Sequence, residues 1–137
     1  LCNEYLEEKY PTPALAPTDA GEKARMRLWV EWCNSQFVPP VIGFLYEQRK
    51  PAAERSQGKI DHNKAKLTAL LPRLEERLQS SEYLMGDYSM ADIAFTPFLA
   101  LCDRIGVDLS AFPHTARWAA RLKNRESFEE VKIGLGA

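Results

Sequence analysis

Few residues of this chain are of types that do chemistry. Its 137 residues include three cysteines and two histidines. Cys2, Cys33 and Cys102 are far apart and form no Cys-x-x-Cys pair. None has an adjacent base or basic cluster, so an activated thiolate is not indicated. Cys33 and Cys102 fall on apolar faces and read as small hydrophobes. His62 and His114 are also far apart, without metal-ligand spacing, and read as solvated or core-edge histidines. No metal site is expected. Ser89 and Asp92 are the most suggestive pair, a hydroxyl and a carboxylate three residues apart. Their surroundings assign them another task. Ser89 stands where a helix N-cap would, its hydroxyl positioned to accept from the Asp92 N–H. The Asp92 carboxylate can reach back to the Ser89 N–H, a capping box with Asp in place of the commoner Glu. Tyr88 and Ile93 occupy the two positions of a hydrophobic staple, and Gly86 permits the tight turn before them. Both polar groups are consumed by the cap.

The helix that this cap opens is apolar on every side from residue 93 to residue 102, apart from Thr96. Such a helix is either buried or in a membrane, and ten residues are too few to span a bilayer. It reads as the central buried helix, ending near Arg104 with Gly106 at its C′ position. Upstream, Asp19 and Glu22 form a second capping box for a helix over about 20–49. That helix carries Met26, Val30, Cys33, Phe37, Val41 and Phe44 as a core stripe. Pro39 and Pro40 must kink or break it, since each lacks an N–H. Trp29 and Trp32 widen its apolar surface towards a core or interface role. Residues 47–58 read as a solvated loop or frayed end. A third helix over about 60–79 places Leu67, Leu71, Leu74 and Leu78 on one face, bent at Pro72. Pro113 begins another helix at N1, with Ala116, Trp118, Ala119 and Leu122 inside. Ser127 is expected to cap a last short helix carrying Phe128 and Val131, before a frayed tail at Gly134–Ala137. With no alternating strand and no hairpin signal, the fold class is all-α, a helical bundle.

Composition excludes several function classes. The formal net charge is −1, with 18 basic and 19 acidic residues, and the basic ones are scattered. That leaves no electrostatic footprint for nucleic acid or an anionic membrane. No apolar run reaches eighteen residues and no signal peptide is expected; with an odd number of distant cysteines, the reading is a reduced, cytoplasmic chain.

The order of these features resembles the C-terminal helical domain of glutathione S-transferases. Gly86, Ser89, then Ala91-Asp92-Ile93 opening an apolar helix with Pro97 inside it is one part of the pattern. Tyr5-Leu6-Glu7-Glu8-Lys9-Tyr10-Pro11, then Leu15-Ala16-Pro17-Thr18-Asp19, then Ala24-Arg25-Met26-Arg27-Leu28-Trp29 is the more telling part. The likeness runs from Tyr5 to Phe128, with one departure: Arg125-Glu126 stands where relatives often show Arg-Pro before the final Ser-Phe. The resemblance implies that residues 1–10 end the last helix of a truncated thioredoxin-like half. Residues 11–18 would be the inter-domain linker and residues 19–137 the helical domain. It implies glutathione as co-substrate of a whole, homodimeric protein that conjugates it to a small hydrophobic electrophile. The thiol-activating group and the glutathione cradle would belong to the thioredoxin-like half, so no catalytic residue and no cofactor is expected in this chain. The helical half would supply the electrophile's wall and part of the dimer interface. Glu31, Ser35, Val38, Pro39 and Ile42 make a face of mixed polarity opposite the core stripe. The resemblance assigns Ser35, Val38 and Pro39 to the pocket; plain solvent exposure is the alternative. The competing function is a non-catalytic interaction module, similar to the related domains of translation factors and tRNA synthetases. A free-standing binder of apolar ligands is a third.

Overall fold

A computed structural model describes residues 2–134, with side chains described for residues 2–130. The expectations for Leu1, for the Val131 side chain and for the tail beyond Gly134 lie outside the described residues. The helices in chain order are α1 (Cys2–Lys9), α2 (Ala20–Trp32), α3 (Val38–Arg49), α4 (Gln57–Leu78), α5 (Met90–Ile105), α6 (Pro113–Lys123) and α7 (Ser127–Gly134). A π-helical segment, Cys33–Phe37, joins α2 to α3, and a 3-10 turn, Ala52–Glu54, follows α3. Among the described residues there is no strand, only an isolated bridge between Met85 and Asp87 that closes a turn. The all-α bundle read from the sequence is the observed fold.

The buried helix is α5, with Met90, Ala91, Asp92, Phe95, Thr96, Leu99, Ala100, Leu101 and Ile105 buried. Helices α2, α3, α6 and α7 pack against it, while α4 lies against α3 and α6. Phe95 lies at the centre, its ring 5.2 Å from that of Phe37 and 5.5 Å from that of Trp118, both edge-on. Gly106 ends the helix in the left-handed conformation, φ 70°, which glycine adopts without a Cβ penalty. Between α3 and α4, a Cβ at Gly43 would come within 2.8 Å of the Asn63 side chain, so glycine here lets the two helices approach closely.

The π segment explains how one long helix tolerates Pro39 and Pro40. Neither proline can donate to the carbonyl four residues back. The Val38 N–H instead reaches the Cys33 carbonyl, five back, and the prolines fall in the first turn of α3, the helical position that best tolerates a residue without an N–H. The wider turn also corrects the phase of the stripe. Cys33, Phe37 and Val41 are all buried at successive spacings of four, a spacing that drifts by ~40° per step in a regular α-helix.

Several boundaries differ from the sequence reading. Helix α4 begins at Gln57, capped by Ser56, whose hydroxyl accepts from the Lys59 N–H at 3.4 Å, so Gly58 lies in a helical turn. Glu47 is buried within α3 rather than solvated, because its carboxylate folds the following loop onto itself. It accepts from Lys50 Nζ at 2.7 Å and from the Ser56 N–H at 3.0 Å. In α6, Thr115 is buried and Ala116 half-buried. Ser127 is the first residue of α7 rather than its cap. The box at Asp19 is half made: Asp19 accepts from the Glu22 N–H at 2.9 Å, but the Glu22 carboxylate pairs with Arg25.

Candidate functional site

The Ser89–Asp92 constellation is a cap, and more than a cap. The Ser89 hydroxyl accepts from the Ala91 N–H at 3.3 Å, and Asp92 Oδ2 accepts from the Ser89 N–H at 3.1 Å, closing the capping box. Asp92 Oδ1 meanwhile accepts from the Leu84 N–H at 3.0 Å and from the Trp118 indole N–H at 2.8 Å. Asp92 is fully buried, so one carboxylate ties the turn before α5, the start of α5 and the middle of α6 together. Burial pushes its carboxyl above the ordinary aspartate value, against the pull of the Leu84, Trp118 and Ser89 donors. The Ser89 hydroxyl also donates to Asp92 Oδ2 at 3.3 Å, so both carboxylate oxygens are taken up by contacts within the fold.

None of the other reactive groups forms a centre. Burial pushes the thiols of Cys33 and Cys102 up to about 12, which keeps both protonated near neutrality and removes them as nucleophiles. Cys33 donates to the Ala94 carbonyl at 3.4 Å. Cys2 is exposed on α1. His62 is exposed on α4, while His114 Nδ1 stands 2.7 Å from the Arg117 guanidinium. Among the described residues no three potential ligands gather for a metal ion, and no helix is long and apolar enough to cross a membrane.

Where, then, could an apolar ligand lie? A space of about 30 Å³ lies in the core beside Phe37, Leu74, Cys102 and Trp118, large enough for a water and little else. Ser35, Val38 and Pro39 lie instead on the outer side of the α2–α3 junction. Ser35 and Pro39 are exposed; Val38 is half-buried, packing against the core. The π turn and the start of α3 thus leave the Ser35 hydroxyl and the Pro39 ring exposed and the Val38 side chain half-buried. π turns of this kind are frequent at functional sites. The residues offer contact and shape, with no acid, base or nucleophile among them.

A second surface was not foreseen as a unit. A groove of about 410 Å³ between α2 and α4 is lined by Leu28, Trp29, Arg73, Arg77 and Met85 among others. Leu28 is 65% exposed. The Arg73 guanidinium lies 5.1 Å from the Trp29 ring and 4.8 Å from the Trp32 ring. The sequence signal was present in the Trp29 and Trp32 pair; the arginine that covers them comes from 44 and 41 residues further along the chain.

Comparison with known proteins places this geometry. Residues 34–126 match the family model described as glutathione S-transferase, C-terminal domain. Glutathione S-transferase GstB of Escherichia coli (strain K12) is 27% identical over 129 residues, covering 93% of this chain and 62% of that protein. Maleylacetoacetate isomerase of Rattus norvegicus is 31% identical over 136 residues, covering 92% and 57%. Among solved structures, the theta class glutathione S-transferase of Xanthomonas axonopodis pv. citri with glutathione bound superposes with a TM-score of 0.83. It is 28% identical, covering 94% of this chain and 68% of that one. The chain thus spans about 60% of the length of the curated relatives it matches.

Proposed function

We propose, since the chain belongs to the glutathione S-transferase family through its C-terminal domain, that it is the electrophile-binding half of a glutathione-dependent transferase. The reaction of the whole protein would be attack of the glutathione thiolate on a small hydrophobic electrophile. The observation that carries this reading is the Ser35–Val38–Pro39 stretch at the π turn, its Ser35 and Pro39 exposed, in a domain whose bundle thiols, Cys33 and Cys102, are held protonated. Such a domain supplies binding energy and shape, and leaves the nucleophile to glutathione and to residues outside this chain. Discrimination between electrophiles would then come from these three side chains, where a methylene more or less changes selectivity by ~10–200-fold. The rat relative's name is that of an isomerase, so isomerisation by the whole protein is the second reaction to be tested.

The groove between α2 and α4 would form part of a homodimer interface, supported by the exposed Leu28 beside arginine-covered tryptophans. The reduced state of the three cysteines accords with a cytoplasmic location. Nothing in the geometry favours the interaction-module reading over this one.

The test begins with the mass of the protein in its source cell, followed by conjugation of glutathione to a chlorodinitrobenzene electrophile. Val38→Ala and Pro39→Ala should change KM for the electrophile while leaving KM for glutathione within about twofold. Loss of activity with both KM values unmoved would remove these residues from the pocket. Absence of conjugation and of isomerisation by the whole protein would end the transferase reading.

A further inference from the structure

Helix α1 contributes no buried residue to the core, so its position against the bundle depends on polar contacts. One is the pair between Glu4 and Arg27 of α2, 2.6 Å apart and exposed, a kind of contact that contributes little. The other is made by Glu7. Its Oε1 accepts from the N–H of Leu15 at 2.9 Å and from that of Ala16 at 3.0 Å, and its Oε2 lies 3.1 Å from the Leu15 nitrogen. Between Pro13 and Pro17 only Ala14, Leu15 and Ala16 carry an N–H, so Glu7 takes two of the three donors this strap has.

The strap is held on its other side as well. The Leu15 carbonyl accepts from the Met90 N–H at 2.9 Å. Met90 is the first residue of α5, and a helix has no acceptor of its own for that amide. The remaining donors at this end are met locally: Ala91 by the Ser89 hydroxyl, Asp92 and Ile93 by the Ser89 carbonyl. Leu15 alone comes from elsewhere in the chain, and Met90 is 6% exposed, where an unpaired N–H is costly.

We infer that Glu7 is a latch that fixes residues 14–16 so that the Leu15 carbonyl completes the N-terminal cap of α5. Through it the orientation of α1 is tied to the start of the buried helix, in the series Glu7, Leu15, Met90. A movement of α1 that breaks the Glu7 contacts frees the strap and uncaps α5. The inference goes beyond the transferase reading and does not depend on it, because every group lies within this chain.

Amide hydrogen exchange on the protein, its Glu7→Ala variant and its Glu7→Gln variant tests the latch. Leu15, Ala16 and Met90 should be protected in the wild type. Glu7→Ala should speed exchange at Leu15 and Ala16 by ~10-fold or more, the expectation for losing hydrogen bonds to a charged acceptor, and at Met90 by a smaller factor. Amides of α4 around Leu67 and Leu71 should not change. Glu7→Gln keeps an acceptor oxygen at the position of Oε1 and should restore most of the protection. Unprotected Leu15 and Ala16 amides in the wild type would overturn the latch. So would an unchanged Met90 in Glu7→Ala, or loss of protection that extends equally to Leu67 and Leu71.

Discussion

Asp92 accepts from the Leu84 N–H, from the Ser89 N–H and hydroxyl, and from the Trp118 indole, and its removal leaves three buried N–H donors, and the Ser89 hydroxyl, without that acceptor. Each such donor costs about 1–3 kcal/mol, so Asp92→Ala should lower stability by at least about 3 kcal/mol in urea titration. A loss near 1 kcal/mol, the typical value for a cap alone, would mean that the Leu84 and Trp118 bonds contribute nothing. Trp118→Phe, which removes the indole donor and keeps most of the ring, should cost less than Asp92→Ala. The thiols make a second prediction at this scale. In native protein an aromatic disulfide reagent should modify Cys2 readily and leave Cys33 and Cys102 unmodified until the chain is unfolded, since burial holds both thiols protonated. Prompt reaction of two or three thiols would contradict the burial described.

At the scale of elements, carboxylates hold the connections that helices cannot satisfy themselves. Helix α6 starts after Phe112, which has no capping side chain. Glu75 of α4 takes that place, accepting from the N–H of His114 at 3.0 Å and from the N–H and hydroxyl of Thr115, each at 2.8 Å. Burial raises the Glu75 carboxyl, but the bonds from Thr115 and His114 outweigh it and hold the group below its ordinary value of 4.5. A depressed carboxyl contributes stability above its unfolded-state pKa and loses it as pH falls through the folded value. Glu75→Gln should therefore lower the melting temperature at neutral pH and flatten its decline below about pH 4.5. Parallel melting curves for wild type and variant would show that Glu75 does not stabilise the α6 start. Asp92, pushed upward, acts in the opposite sense, so the difference between the two curves isolates Glu75. These contacts also mark the limit of what the sequence discloses. The caps at Ser89 and Asp19 were legible because donor and acceptor are three residues apart, and the burial of α5 because it is apolar all round. Glu75 lies 39 residues from its nearest partner and Asp92 lies 26 from Trp118, distances at which no local pattern exists. One indirect signal was available: a helix start with phenylalanine in the capping position requires an acceptor from elsewhere. Pro39-Pro40 announced a break, yet whether the chain would kink or widen into a π turn depended on the need to keep Cys33, Phe37 and Val41 in one core.

For the whole molecule, the fold was recoverable from the order of its elements, and the candidate site only in part. Ser35 and Pro39 are exposed and Val38 half-buried at the α2–α3 junction, and their role as the wall of an electrophile pocket is a proposal drawn from the family resemblance. The dimer proposal has a direct test. Leu28→Glu places a charge where the α2–α4 groove would meet its copy, and sedimentation should show a shift from dimer to monomer with the helical circular dichroism retained. An unchanged dimer would move the interface elsewhere, and a monomeric wild type would remove it.

The π turn has a consequence for descent as well as for packing. It amounts to one residue more than an α-helix needs over the same stretch, so loss of a single codon within 33–37 would return the segment to α geometry. Because the wider turn has absorbed that residue, the helices on either side keep their phase, and only the side chains facing outward across the turn are reassigned. A different side chain would then take the outward position now held by Ser35. Gain or loss of one codon here is thus a route by which lineages of this domain can exchange the chemistry of an outer wall while inheriting the interior unchanged.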